Sequence, residues 1–251
     1  MTGVRDGPRR LIEKLPSPEP DVVLRLARLP VTVDDEAGRE RFRSLSDREQ
    51  QRASRFLRRT DRNEYVLAHW LLRHSLSEGT SVPPRSWDFT EERYGKPRIA
   101  RRFGDEREFS LSHSAGTCVV AVSARRRVGV DIERLRETDD PRALPRNCLS
   151  PGERGRLAAL PEERRQAEFI QLWALKEALA KAMGVGLRLP FAEVDFSWRD
   201  ARPSLGRSAA VPAPEFWTCH CLDAPAGFRA ALCVRGARPT TAVPIRGVRE
   251  T

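Results

Sequence analysis

No stretch of this sequence approaches the roughly 18 consecutive apolar residues that a membrane span requires, and residues 1–20 hold no apolar run of the signal-peptide kind. A membrane-embedded or exported protein is therefore not expected, and the cytoplasm is the expected location. Cysteine is scarce: Cys118, Cys148, Cys219, Cys221 and Cys233 contain no C-x-x-C pair. An odd count suits a reducing compartment better than a disulfide framework, so these thiols are expected as small buried apolar residues. Cys219 and Cys221 share one strand face but have no second ligand pair nearby, which argues against zinc. The Walker loop, G-x-G-x-x-G and H-E-x-x-H are missing as well, which removes the common nucleotide and zinc-protease signatures.

What the chain has in abundance is positive charge. Its 251 residues carry 45 Lys and Arg against 35 Asp and Glu, a formal net charge of +10. Most of the excess is arginine, whose planar fork favours phosphate and carboxylate groups. Anionic partners follow from this, but charge does not choose among nucleic acid, a phosphorylated cofactor and an acidic protein surface. With 39% hydrophobic residues there is material for a core, and the length suits one large domain or two compact ones.

Residues 1–20 and 236–251 mix Pro, Gly and Arg without hydrophobic period and are expected as loose tails. Between them, Asp21–Leu29 alternates like a strand. Ser46-Asp47-Arg48-Glu49 is an S-x-x-E capping box that opens a helix to about Phe56. A longer helix fits Asp61–Leu76, where Tyr65, Ala68, Leu72 and Leu76 recur at three and four residues. Strands are predicted at Trp87–Phe89, Phe109–Leu111, Cys118–Val122 and Val128–Ile132, with a hairpin turn at Arg125-Arg126-Arg127. Helices are predicted at Pro151–Leu160 and Glu162–Met183, the second stopped by Gly184 and Gly186. Strands follow at Val194–Trp198, Phe216–Cys221 and Arg229–Val234. Helices and strands thus come in two batches, residues 21–125 and 126–235, which reads as two packed α+β halves without a visible internal repeat.

Four short segments could carry chemistry. In Val128-Gly129-Val130-Asp131-Ile132-Glu133 the apolar residues take one strand face and Asp131 and Glu133 the other, about 7 Å apart. Like charges so placed need solvent or a cation between them, and Mg²⁺, which takes carboxylate oxygens, is the cation they suggest. A solvated strand end is the plain alternative. Glu177 and Lys181 lie in Trp173-Ala174-Leu175-Lys176-Glu177-Ala178-Leu179-Ala180-Lys181, where a surface ion pair is the alternative to a third metal ligand. By the same reasoning Lys176 reads as solvated and Trp173 as core. Phe109-Ser110-Leu111-Ser112-His113-Ser114 ends a strand in a polar turn that could present Ser112 and His113 to a phosphate. Tyr94-Gly95-Lys96-Pro97 puts a lysine in a tight turn.

Taken together and in this order, G-K-P, S-H-S, G-V-D-I-E and W-x-x-K-E-A-x-x-K resemble the Sfp-type 4'-phosphopantetheinyl transferases, and weaker likeness extends upstream through residues 52–56 and 62–73. The resemblance implies an α+β pseudo-dimer of two similar α/β halves with coenzyme A in the cleft between them. It implies Mg²⁺ on Asp131, Glu133 and Glu177, and a carrier-protein serine attacking the β-phosphate of coenzyme A. Glu177 would accept the serine proton and Lys181 would neutralise the leaving phosphate, while Lys96, Ser112 and His113 would contact the phosphates and Arg52 the 3'-phosphate. The expected partner is an apo acyl or peptidyl carrier protein, nucleic acid and membrane are not, and a pseudo-dimer needs no second copy, so a monomer is expected. Two positions depart from the family pattern: Ser110, where asparagine is frequent, and Glu49, where a basic residue often serves the 3'-phosphate, a charge that Arg48 or Arg55 could replace. The readings that compete are another Mg²⁺-dependent enzyme of phosphate esters and a basic nucleic-acid-binding protein.

Overall fold

Runs such as Cys118–Val122, which show no clean alternation, form strands buried on both faces. In the computed structural model, which describes residues 12–29, 36–135 and 148–236, β6 (Thr117–Ser123) has no exposed residue. Cys118, Val120 and Val122 pack toward helix α3 (Arg59–Ser77), and Val119 and Ala121 toward a second sheet. A strand covered on both sides reads as continuous hydrophobicity.

The first sheet has the order β1-β2-β6-β5, all antiparallel, with β1 at Glu13–Leu15, β2 at Val22–Arg28 and β5 at Glu108–Ser114. The second has the order β10-β11-β7, with β7 at Val128–Arg134, β10 at Trp217–Leu222 and β11 at Phe228–Arg235. Helix α5 (Glu162–Met183) lies on its outer face. Val22, Leu24 and Leu26 of β2 meet Val128, Val130 and Ile132 of β7 in a core between the sheets. The layers therefore run helix, sheet, sheet, helix. Two hairpins, β3 (Phe89–Glu91) with β4 (Pro97–Ile99) and β8 (Phe196–Arg199) with β9 (Arg202–Leu205), complete the halves, together with α1 (Glu36–Arg43), α2 (Asp47–Ser54) and α4 (Pro151–Ala159).

The duplication that the residues conceal is plain in the topology. Leaving aside β1 and the short hairpins, the first strand of each half pairs with the last, and the last with the one before it: β2-β6-β5 and β7-β11-β10. Each half also repeats one polar device. The capping boxes Ser46/Glu49 and Ser150/Glu153 start α2 and α4, and a buried cation from the following long helix grips the box glutamate. In the first half Arg73 reaches Glu49 at 2.7 Å and the carbonyls of Pro84 and Trp87. In the second, Lys176 reaches Glu153 at 2.6 Å and the carbonyls of Phe191 and Val194. Lys176, expected in solvent, is fully buried. Burial pulls its ammonium down from its ordinary value, against the opposing pull of Glu153.

Several expectations are corrected. Residues 12–20 are no tail: β1 adds to the sheet, and Glu19 accepts from Arg126 and pairs with His220. Residues 1–11 and 237–251 lie outside the described residues. Arg125–Arg127 make no hairpin, because β6 and β7 belong to different sheets; a chain leaving one sheet for the other shows the same apolar-turn-apolar pattern. Arg126 is held there by Glu19 and Asp21, and Arg127 by Glu92 and the end of α5. Cys219 and Cys233 stand opposite each other on β10 and β11 and form a disulfide, a pairing only the ladder could reveal. Cys118 and Cys148 are buried as expected, whereas Cys221 is exposed.

Candidate active site

The seam between the halves is built from alternation. β5 and β7 lie side by side without forming a ladder, and from Ser110 on every second residue of β5 is a serine facing β7. Ser110 Oγ accepts the Val130 N–H at 3.1 Å, Ser114 Oγ accepts the Arg134 N–H at 3.2 Å, and Ser112 Oγ donates to Asp131 Oδ1 at 2.8 Å. The Ser110 hydroxyl thus satisfies a strand-edge N–H that would otherwise be buried unpaired. This is the occupation of Ser110, the first departure from the family pattern. Ser112 and His113 do not project from a loop, since β5 continues to Ser114; they face opposite sides of it.

Across β7 from the intersheet core, Asp131 and Glu133 face α5 and not solvent. Gly129 makes that approach possible: a Cβ there would stand 1.9 Å from the Ala178 carbonyl oxygen and 2.4 Å from the Ala182 nitrogen. With the helix this close, Lys181 Nζ reaches Asp131 Oδ1 at 2.6 Å and Ser112 Oγ at 2.9 Å. Lys181 therefore reaches across to Asp131, where a surface pair with Glu177 was the plain expectation. Asp131 is 2% exposed, and its Oδ2 is buried without a hydrogen-bond partner. Glu133 accepts from Ser114 Oγ at 3.1 Å and from the Trp173 indole at 3.2 Å. Burial pushes the Glu133 carboxyl above its ordinary value, and the Asp131 charge adds to the shift. Glu177, on the facing helix, is raised first by burial and then by Asp131 and Glu133, against the lowering pull of Lys181.

These features fit a hard divalent cation. The donors are all carboxylate oxygens, one buried oxygen lacks a partner, and two of the acids are held in a state that a cation would relieve. The ligand set is not assembled as it stands: among the described residues no three His, Cys, Asp or Glu side chains gather at ligating distance.

Lys96 has an occupation other than the expected phosphate contact. It is 7% exposed, and its ammonium donates to the carbonyls of Val128 and Lys181, both at 2.9 Å, and of Phe109 at 3.5 Å. One side chain thereby ties β5, β7 and α5 together, and burial lowers its pKa to about 8. A cleft of about 230 Å³ opens between this lysine, Tyr94, Phe109, Ala180 and Lys181. Through Gly95, Pro97 and Leu111 it joins a groove of about 880 Å³ lined by Arg48, Arg52, Tyr65, His69 and Arg85. Arg52 also stacks over the Tyr65 ring.

Glu49, the second departure, lines that groove with its charge already paired. It is 8% exposed, bonded to His69 at 2.8 Å and Arg73 at 2.7 Å. Burial alone would raise its carboxyl, but these two partners prevail and hold it at about 2. The residue missed entirely by sequence reasoning is Glu64 on α3. It takes the His113 Nδ1 at 3.1 Å and the Gly116 N–H at 2.5 Å. Its only signal was its place on the polar side of a helical pattern, which any solvated glutamate shares.

Two duplicated α+β halves with a single acidic site at their seam define a pseudo-dimeric class of protein. Comparison with known proteins places the chain within it. Residues 127–233 match the model of the 4'-phosphopantetheinyl transferase superfamily, and residues 36–125 that of the 4'-phosphopantetheinyl transferase N-terminal region. The chain is similar to the 4'-phosphopantetheinyl transferase HetI of Nostoc sp., 34% identical over 163 residues, which are 64% of this chain and 69% of that protein. It is also similar to the 4'-phosphopantetheinyl transferase Sfp of Bacillus subtilis, 28% identical over 152 residues, 60% of this chain and 66% of the relative. Among solved structures, the holo-[acyl-carrier-protein] synthase of Thermotoga maritima aligns with a TM-score of 0.37 at 25% identity, covering 44% of this chain and 63% of that one. The chain belongs to the 4'-phosphopantetheinyl transferase family.

Proposed function

We propose that this protein transfers the 4'-phosphopantetheine arm of coenzyme A to a serine of an apo acyl or peptidyl carrier protein, with Mg²⁺, releasing 3',5'-ADP. The observation that carries this reading is Asp131. A buried carboxylate with one unpartnered oxygen, at the seam of the two halves and beside a lysine, has no structural purpose that an uncharged residue would not serve better.

In this reading Asp131, Glu133 and Glu177 hold the magnesium, which when bound offsets charge on the pyrophosphate. The groove suits the rest of coenzyme A: Arg52, with Arg48 and His69, receives the 3'-phosphate, and the cleft leads from there to Lys181. Ser112 and His113 contact the phosphates, while Lys96 holds the three elements in place behind them. The carrier serine hydroxyl attacks the β-phosphorus, a new P–O bond forms, and the bond to 3',5'-ADP breaks. Glu177 takes the hydroxyl proton, and Lys181 stands by the departing phosphate. The basic surface suits an acidic carrier by steering encounter. No described helix is long and apolar enough to cross a membrane; a site built from both halves of one chain needs no second copy, so the acting species is a monomer.

Magnesium-dependent binding of coenzyme A, followed by calorimetry on the wild type and on Asp131→Asn, tests the reading. Binding that needs the metal and weakens in the variant supports it; equal binding with and without metal would remove the assigned role of the acids.

A further inference from the structure

We infer that Glu64 is a positioning residue that fixes the ring of His113 and presents its Nε2 edge to the anionic substrate; the inference rests on the coenzyme A reading above. Glu64 sits in the second turn of α3, with a side chain 19% exposed. Its two oxygens serve two different partners. One lies 3.1 Å from His113 Nδ1, and the other accepts the Gly116 backbone N–H at 2.5 Å. Gly116 follows Ala115 in the turn from β5 to β6, where both residues are left-handed, with φ of 77° and 46°. Alanine is disfavoured in that region, so the turn gains from being tied to the helix.

The chemistry of the two contacts fixes the state of the histidine. A backbone N–H only donates, and a carboxylate only accepts. An unprotonated ring nitrogen would repel the carboxylate, so His113 Nδ1 carries its proton toward Glu64 and Nε2 is the edge left for a ligand. When Nε2 is protonated as well, the ring stands between the Glu64 carboxylate and a phosphate in alternating charge, the arrangement of a charge-assisted donor. His113 follows Ser112, which bonds Asp131, and precedes Ser114, which bonds Glu133. The same strand thus carries the histidine on one face and the acid-bound serines on the other, and Glu64 is the side chain that sets the ring's direction.

Glu64→Gln separates the two contacts, since an amide has a single acceptor and Gly116 must keep one. The amide oxygen is expected to stay with the Gly116 N–H, turning the NH₂ toward Nδ1 and moving the proton of the neutral ring to Nε2. Nitrogen-15 NMR of the imidazole in the full-length, ligand-free protein, in mildly alkaline buffer, should show the Nδ1–H tautomer in the wild type and Nε2–H in the variant. In steady-state transfer, the KM for coenzyme A should rise roughly fivefold, the difference between a charge-assisted hydrogen bond and the neutral Nε2–H bond that the variant keeps, with kcat within about twofold. In a His113→Ala background, Glu64→Gln should add no further loss. An unchanged tautomer, or a full Glu64→Gln effect surviving in the His113→Ala background, overturns the assignment and leaves Glu64 as a clasp for the turn. Failure of the coenzyme A reading itself has a different signature: a wild type without coenzyme A turnover, whatever the tautomer.

Discussion

At the scale of single residues, the site and its supports are charges that have left water, each with the partners it has found there. Asp131 has Lys181 and Ser112 on one oxygen and nothing on the other. Asp131→Asn keeps the shape and removes the charge, so it should fold normally by circular dichroism while transfer falls at least about a hundredfold. Glu49 offers a test of stability rather than chemistry. Its carboxyl is near 2 in the folded protein against an ordinary value of 4.5. A carboxyl depressed on folding stabilises the protein above its unfolded value and loses that contribution as pH falls through the folded value. Urea unfolding should therefore show the wild type above Glu49→Gln by roughly 3 kcal/mol at pH 6, with the gap closing as pH falls from about 4.5 toward 2. A gap independent of pH would mean that the His69 and Arg73 contacts do not bear on the ionised form.

At the scale of elements, the site exists because α5 lies directly on β7, and Gly129 and Lys96 permit and hold that approach. Gly129→Ala puts a methyl group into the backbone of Ala178 and Ala182. A cost of about 3 kcal/mol, and a melting temperature lower by roughly 10 °C, is expected by calorimetry, together with loss of transfer as Glu177 and Lys181 draw away from Asp131. Lys96→Met leaves three carbonyls without their donor; it should cost about 2 to 4 kcal/mol. If Lys96 were instead a free phosphate ligand, stability would be untouched and only the KM for coenzyme A would rise. Elements with strong local codes were legible in the sequence. The capping boxes at Ser46 and Ser150, the 3.6-residue period of α3 and the Gly184 stop of α5 are all in place. The longer strands were placed as well, but which strands pair was not legible. The short hairpins β3-β4 and β8-β9 have too few residues for a period, and whether a turn closes a hairpin or changes sheet is decided by partners far away in the chain.

At the scale of the whole molecule, the two halves are copies that have parted company where chemistry is concerned. β2 and β7 occupy equivalent places, and so do α3 and α5. Arg25 stands on β2 where Asp131 stands on β7, and it pairs at 2.5 Å with Glu78 at the end of α3, as Asp131 pairs with Lys181 near the end of α5. The signs are reversed: a cation stands on β2 where an acid stands on β7. This duplication was invisible in the residues because it survives in topology and in the Glu49–Arg73 and Glu153–Lys176 devices, not in identity. Asp131 and Glu177, on a strand and a helix with distinctive spacing, were singled out from the sequence, and the fold brings β7 and α5 together; Glu64 was not singled out, because its contact with β5 spans 49 positions of the chain. The sheets share one core through Val22, Leu24, Val128 and Val130, so the halves should unfold together: a single calorimetric transition with equal calorimetric and van't Hoff enthalpies is expected, and two separate transitions would show independent halves.

The central claim is that the acids at the seam serve transfer of phosphopantetheine, and mass spectrometry of apo carrier proteins incubated with coenzyme A, Mg²⁺ and this protein tests it most directly. The account expects a mass gain of one phosphopantetheine arm on at least one carrier, abolished by a metal chelator and by Asp131→Asn. No gain on several unrelated carriers, or a gain that persists without the metal and without the Asp131 charge, would contradict it.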